Sequence, residues 1–184
     1  MRSPINLTLP RVGPLFVTGA LLLGAARTEA QTASARIDPA WLRADAASKT
    51  AEFKLVGGLT ELNGGMNFNG FGTGKLTVTV PVGWTVTLHY KNQDQILPHS
   101  VEVIPAGTAV PLGPVTPAFP RAATKALDQG VPPGSGEDVR FVATKAGAYV
   151  IFCAVPGHGQ AGMWIRLTVS DAARGPSVEA ATGR

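Results

Sequence analysis

Cysteine is almost absent from this chain, because Cys153 is the only one among its 184 residues. A single cysteine cannot form a disulfide within the chain, and it excludes metal sites built from paired cysteines. In an exported protein, an odd cysteine is a free thiol, an intermolecular bridge or a metal ligand. The role of Cys153 is therefore the first question that the sequence poses.

Histidine and charge are also scarce. The chain has three histidines, and charged residues make up only 15% of it. The formal net charge is +4, but the basic residues form no run, unlike those of nucleic-acid-binding proteins. The glycine-rich segments 57–58 and 70–74 do not lead into a helix that could hold a phosphate. We therefore expect no nucleic-acid partner.

The longest apolar run of the sequence lies near the N-terminus. Residues 1–30 combine Arg2 and Arg11 with an apolar stretch over 12–26 and small residues at positions 28 and 30, which is the pattern of an export signal. The apolar run is short for a membrane span, so an uncleaved N-terminal anchor is the alternative. This pattern predicts an exported protein, located in the periplasm or elsewhere outside the cytoplasm.

Glycine and proline are plentiful, with 22 and 15 residues. This composition favours short strands and turns over long helices. Alternation of polar and apolar residues predicts seven or eight strands within 50–170, and hence an all-β, antiparallel sandwich or barrel. The predicted strands are 52–56, 66–70, 75–80, 85–92, 99–104, 138–143, 147–153 and 163–169.

Three segments lie outside this alternating pattern. Residues 31–49 are predicted to be an N-terminal extension with one short helix, in which Asp38 is the N-cap and Pro39 the first helical residue. The Pro- and Gly-rich stretch 105–136 is predicted to be a long connection that wraps the sheet. The tail 171–184 is rich in small and charged residues and is predicted to be flexible.

The stretch 153–163 contains most of the residues that could bind a soft metal. Cys153, His158 and Met163 follow one another at equal spacing, separated by glycine, proline and small residues. Two histidines, a cysteine and a long axial methionine form the blue-copper electron-transfer site. This stretch therefore supplies three of the four ligands of such a site.

The fourth ligand should be an upstream histidine near the start of a strand. His99 fits, because Pro98 restricts the approach of the chain and an alternating strand follows. His89 lies in the middle of a strand on its polar face, where a histidine is usually a surface residue. Met66 is a rival axial ligand but has no spacing relation to the stretch. The predicted ligands of one copper ion are His99, Cys153, His158 and Met163.

These motifs resemble those of the cupredoxins, the blue copper proteins. The resemblance rests on Pro98-His99-Ser100 and on the C-x₄-H-x₄-M pattern of 153–163, and it covers about residues 50–170. Within that family, segments 66–70, 80–84 and 157–164 are most similar to sulfocyanin, a relative of rusticyanin. The resemblance implies a Greek-key β-sandwich of the cupredoxin type with one type 1 copper ion.

The resemblance also implies a role for each ligand. Cys153, His99 and His158 would form the trigonal plane, and Met163 would be the weak axial ligand. His158 would reach near the surface, where redox partner proteins such as cytochromes or a terminal oxidase would dock. Ser100 could form a hydrogen bond to the cysteine sulfur or tie the two ligand segments together. The alternative is that it is an ordinary strand serine. The expected apolar ring around His158 comprises Leu97, Pro98, Val155, Pro156, Gly157 and Ala161.

Copper enzymes are a poor fit to this composition. Nitrite reductases and multicopper oxidases need further histidines, and only His89 is left over. An oxidase domain with a binuclear copper centre needs two cysteines. We therefore expect a monomeric one-electron carrier rather than an enzyme. The remaining alternatives are a copper carrier or storage protein without an electron-transfer role, and a structural sandwich that binds no metal.

Overall fold

The computed structural model describes residues 37–107 and 109–181. Within these residues, nine β-strands form two sheets that share one hydrophobic core. The predicted export signal lies outside the described residues. No helix among the described residues is long and apolar enough to cross a membrane. The strands are β1 (Leu42–Asp45), β2 (Thr50–Gly57), β3 (Leu76–Pro81), β4 (Thr85–Asn92), β5 (Glu102–Pro105), β6 (Gly136–Val142), β7 (Gly147–Phe152), β8 (Trp164–Ser170) and β9 (Ser177–Ala180).

The strand order confirms a β-sandwich, in which both parallel and antiparallel strand pairs occur. One sheet has the order β1-β2-β4-β6 and the other the order β5-β7-β8-β3-β9. Two pairs, β2 with β4 and β3 with β8, are parallel, and the other pairs are antiparallel. The predicted all-β sandwich is therefore confirmed, although two of its strand pairs are parallel where an antiparallel arrangement was expected. The chain changes sheets between β2 and β3 and again before β4, so strands distant in sequence become parallel neighbours.

Alternation within each strand builds the core between the sheets. In β4, Leu88 and Tyr90 are buried, whereas the intervening His89 faces outward. Phe119 of the long connection also enters the core and stacks on Phe141, with ring centroids 5.3 Å apart and an interplanar angle of 7°. The connection is thus fixed to the sandwich by an aromatic pair.

The helix predicted within 31–49 is wrong. Among residues 37–49, which the structure describes, the helical part is a single 3₁₀ turn over Pro39–Trp41. The Asp38 carboxylate caps this turn by accepting a 2.8 Å hydrogen bond from the backbone N–H of Ala40. The chain then enters β1, which pairs antiparallel with β2. Pairing with β1 satisfies the backbone N–H and C=O groups at the edge of β2. This gain outweighs the weak local preference of the segment for a helix. Residues Leu42–Asp45 of this segment are therefore part of the sandwich rather than of an extension.

The tail predicted to be flexible contains a strand as well. Strand β9 pairs antiparallel with β3, with Val178 opposite Val78, and the N–H of Ala181 donates to the carbonyl of Lys75 at 2.8 Å. Because β8 covers the other edge of β3, β9 leaves neither edge of β3 open. The folded unit therefore extends beyond the predicted bounds of 50–170 on both sides.

The long connection predicted over 105–136 is present between β5 and β6, and its described residues contain no further strand or helix. It contacts both segments that carry predicted ligands. Val131 and His99 exchange two backbone hydrogen bonds of 2.7 and 3.2 Å, and the carbonyl of Leu112 accepts a 2.7 Å hydrogen bond from Gly157. The connection therefore braces the predicted site from two directions.

Candidate metal centre

Three of the four predicted ligands converge in the folded chain. The Nδ1 atoms of His99 and His158 lie 3.2 Å apart. The Sγ atom of Cys153 lies 3.9 Å from the first of these nitrogens and 3.6 Å from the second. His99 and Cys153 are fully buried, and His158 is half-buried. Two imidazole nitrogens and one thiol sulfur thus face a common point.

The loop from Cys153 to Met163 is closed by its own backbone. The N–H of Cys153 donates to the carbonyl of Met163, and the N–H of Met163 donates to the carbonyl of His158, both at 3.0 Å. Gly159 lies against the ring of Phe152, where a Cβ atom would approach a ring carbon to 2.8 Å. Glycine is required at that position because any larger residue would force the loop away from the sheet.

Ser100 connects the two ligand segments. Its backbone N–H donates to the Sγ atom of Cys153 at 3.3 Å. Its hydroxyl oxygen accepts hydrogen bonds from the N–H groups of Ala154 and Val155, at 3.0 and 3.1 Å, and lies 3.9 Å from the sulfur. The alternative of an ordinary strand serine is therefore excluded, because the hydroxyl ties the loop backbone and also lies within hydrogen-bonding distance of the sulfur.

Asp94 is a site residue that the sequence analysis missed. Its Oδ2 atom lies 3.1 Å from Nε2 of His99, on the side of the ring opposite the other donors. Its Oδ1 atom accepts hydrogen bonds from the N–H groups of Ile96 and Leu97 at 2.8 and 2.9 Å. The only sequence signal is an aspartate five residues before a histidine, which by itself does not indicate contact.

Burial determines the electrostatics of the three donors. Burial lowers the pKa of His99, although the hydrogen bond and the charge of Asp94 oppose this effect. Burial also lowers the pKa of His158, and the nearby His99 adds to the shift. Burial raises the pKa of Cys153, against hydrogen bonds from Ser100 and Val155 that lower it. The histidines are therefore neutral and able to bind a metal, and metal binding would deprotonate the thiol.

The remaining candidates lie in different surroundings. Met163 is fully buried in the same core cluster as Cys153, and its role as axial ligand remains a prediction. Met66 is partly buried and packs against that core. His89 is a surface residue, as predicted: its side chain is 40% exposed and lies 3.0 Å from Oδ1 of Asp138.

The chemistry of the donor set fits one copper ion. Two imidazoles and one thiol, which a metal would convert to the thiolate, form the trigonal donor set of a blue-copper centre in a compact, buried site, and the buried Met163 follows His158 by five residues. The two-sheet sandwich and this donor set together define the chain as a cupredoxin, a protein class with a single type 1 copper ion.

The comparison with known families identifies a particular branch of this class. The model of the sulfocyanin (SoxE) domain matches residues 39–178, and the chain belongs to that family. The chain is 30% identical over 117 residues to sulfocyanin of Sulfolobus acidocaldarius, a match that covers 60% of this chain and 58% of that protein. The match thus spans less than two thirds of the relative's length.

Solved structures support the same fold. A rusticyanin variant superposes with a TM-score of 0.53 at 21% identity, covering 66% of this chain and 78% of the other. Reduced rusticyanin superposes with a TM-score of 0.50 at 19% identity, covering 71% and 91% of the two chains. The predicted resemblance to sulfocyanin, with the cupredoxin fold, is confirmed.

Proposed function

We propose that this protein carries single electrons between redox partners by means of one type 1 copper ion. His99, Cys153 and His158 would hold the ion, with Met163 as a further weak ligand. When bound, copper supplies the Cu(II)/Cu(I) couple. The observation that carries this proposal is the convergence of two Nδ1 atoms and one Sγ atom, all within 4.8 Å of one another.

The surrounding residues keep this donor set rigid and dry, which favours rapid electron transfer. His99 and Cys153 are inaccessible to water, and Ser100 ties their segments together. The backbone N–H that Ser100 donates to the sulfur withdraws electron density from the thiolate, and Cys153 lies within the apolar core cluster. Both features favour the less charged reduced state. We therefore propose a fairly positive reduction potential, and redox titration that returns a low potential would refute it.

We propose that redox partners dock around His158. This ligand is half-buried, while Pro156 and Ala161 on the same loop are exposed and Pro98 is half-buried. A small apolar rim of this kind supports brief contacts with a cytochrome or a terminal oxidase. Replacing Ala161 by Glu should slow electron exchange with a partner cytochrome while the copper spectrum is unchanged. An unchanged exchange rate would count against this docking site.

We also propose that the chain is exported and acts in the periplasm or elsewhere outside the cytoplasm, as a monomer. The support is the basic and apolar pattern of residues 1–30. N-terminal sequencing of the exported protein would distinguish a cleaved signal from a retained anchor. A chain found only in the cytoplasm would contradict the proposal.

The decisive experiment is spectroscopic. The chain from Gln31 onward is loaded with Cu(II), and its visible and paramagnetic resonance spectra are recorded. We expect an intense blue or green band and narrow copper hyperfine splitting, both of which Cys153→Ser abolishes. His89→Ala serves as the matched control, because it removes a histidine outside the site. A colourless wild-type protein would overturn the proposal.

A copper carrier or storage protein is the competing function, and an exchange experiment separates the two. Such proteins hold Cu(I) on mobile loops, whereas here Cys153 and Ser100 are buried and joined by hydrogen bonds. We therefore expect slow loss of copper to a weak chelator. Rapid loss would favour the carrier. We propose that the protein is not an enzyme, and substrate turnover by the copper-loaded protein would disprove this.

A further inference from the structure

We propose that Asp94 is a positioning residue of this site, which holds His99 in the tautomer that leaves Nδ1 free for the metal. The inference rests on the proposed copper-binding function and deepens it. His99 is fully buried, and the side chain of Asp94 is only 10% exposed. The carboxylate is therefore a built part of the site rather than a surface charge that happens to lie near a ring.

The two oxygens of Asp94 have separate partners. Oδ1 accepts from the N–H groups of Ile96 and Leu97, at 2.8 and 2.9 Å, and these bonds fix the orientation of the carboxylate. This orientation leaves Oδ2 facing Nε2 of His99 at 3.1 Å. An acceptor at that point requires Nε2 to carry the proton of the neutral ring.

The surroundings of Asp94 leave it little freedom to move. Asn92 is fully buried, accepts a 3.0 Å hydrogen bond from the N–H of Asp94, and donates to the carbonyls of Leu97 and Val131 at 2.9 Å each. A Cβ atom at Gly58 would lie 2.6 Å from the Cβ atom of Asp94, and one at Gly65 would collide with Oδ2. Two glycines and a buried amide therefore make space for this carboxylate.

The consequence concerns the other ring nitrogen of His99. A neutral imidazole carries one proton, so a proton held on Nε2 leaves the Nδ1 lone pair directed at His158 and Cys153. Carboxylate partners of this kind orient metal-binding histidines and make the ring more basic. The negative charge also stabilises Cu(II) relative to Cu(I), so it opposes the effect of the N–H group on the cysteine sulfur.

Asp94→Asn separates this role from simple packing, because it retains the size of the side chain. Asparagine has one oxygen in place of two. If that oxygen accepts from Ile96 and Leu97, the amide NH₂ faces Nε2 of His99, which must then act as acceptor and move its proton to Nδ1. The opposite orientation directs the NH₂ at two N–H donors and is worse. The substitution therefore blocks the metal-binding nitrogen.

The matched control is Asp138→Asn. Asp138 in β6 also lies 3.0 Å from a histidine nitrogen, Nδ1 of His89 in β4, but both of these side chains are exposed to solvent. For Asp94→Asn we expect the Cu(II) dissociation constant to rise about 10–100-fold. If Cu(II) binding weakens tenfold more than Cu(I) binding, the potential rises by about 59 mV. Asp138→Asn should change neither quantity. Equal values for Asp94→Asn and wild type would overturn the proposal.

A second measurement needs no copper, and the wild-type protein alone can refute the proposal in it. The ¹⁵N chemical shifts of the metal-free wild-type protein report which ring nitrogen of His99 carries the proton. We expect protonated Nε2 in wild type and in Asp138→Asn, and a shift towards protonated Nδ1 in Asp94→Asn. Protonated Nδ1 in wild type refutes the proposal. A wild-type chain that shows protonated Nε2 but binds no copper would refute the proposed function and leave this tautomer assignment intact.

Discussion

Replacing Ser100 by alanine tests how strongly the hydroxyl group holds the ligand loop. The side chain is fully buried, and its oxygen accepts from two backbone N–H groups, those of Ala154 and Val155. Alanine leaves both donors without a partner. Each buried unsatisfied N–H costs about 1–3 kcal/mol. Because Val155 is only partly buried, we expect a total loss of about 2–4 kcal/mol in the free energy of unfolding.

Urea unfolding of the metal-free protein measures this loss. With a slope of about 2 kcal/mol per molar urea, the midpoint should fall by about 1–2 M at an unchanged slope. Ser170→Ala is the matched control, since the hydroxyl of Ser170 also accepts from two backbone N–H groups, at 3.2 Å each. That hydroxyl lies near the surface, where water can replace it, so the loss should stay below about 1 kcal/mol.

The result that would refute this reasoning is an equal loss for the two serine variants. Equal losses would mean that burial of the Ser100 hydroxyl adds nothing to the stability that its two hydrogen bonds contribute. The backbone N–H that Ser100 donates to the cysteine sulfur survives the substitution. The visible band of the copper-loaded variant should therefore persist, which separates loss of stability from loss of the site.

Two further variants test the site and its surroundings. Met163→Leu conserves volume and removes an axial donor that stabilises Cu(II), so copper should be retained and the reduction potential should rise. Met66→Leu is the control. An equal rise of the potential in Met66→Leu would contradict Met163 as the ligand. Burial raises the pKa of Glu102 above 4.5, against a hydrogen bond from Val115 that lowers it. The Glu102 carboxyl therefore contributes less to the free energy of unfolding as the pH rises through its raised pKa, and Glu102→Gln should remove this pH-dependent contribution. Unfolding free energies at about pH 4 and about pH 7 measure it, and a pH-independent difference between the two proteins would argue against it.

Local patterns predicted the parts of this protein that depend on local chemistry. Alternation of apolar residues marked most strands, because a strand buried on one face shows its period directly in the sequence. The convergence of His99, Cys153 and His158 was also predictable, since only a few residue types bind a soft metal and the chain contains very few of them.

Other features depended on contacts between distant segments. The strands β1 and β9 occupy stretches with weak local preferences, which were predicted to be a helix and a flexible tail. They form because the edges of β2 and β3 offer unpaired backbone groups. The parallel pairing of β2 with β4 likewise follows from where the chain changes sheets, and residue alternation carries no information about strand direction.

The sequence by itself determined which atoms can bind the metal, because donor chemistry belongs to the side chain. Only the tertiary structure decided how those atoms are held. The contact between Asp94 and His99 depends on the turn that Ile96 and Leu97 fix, and on the space that Gly58 and Gly65 leave. Orientation of a buried ring results from packing and hydrogen bonds among segments far apart in the chain, and no short motif encodes it.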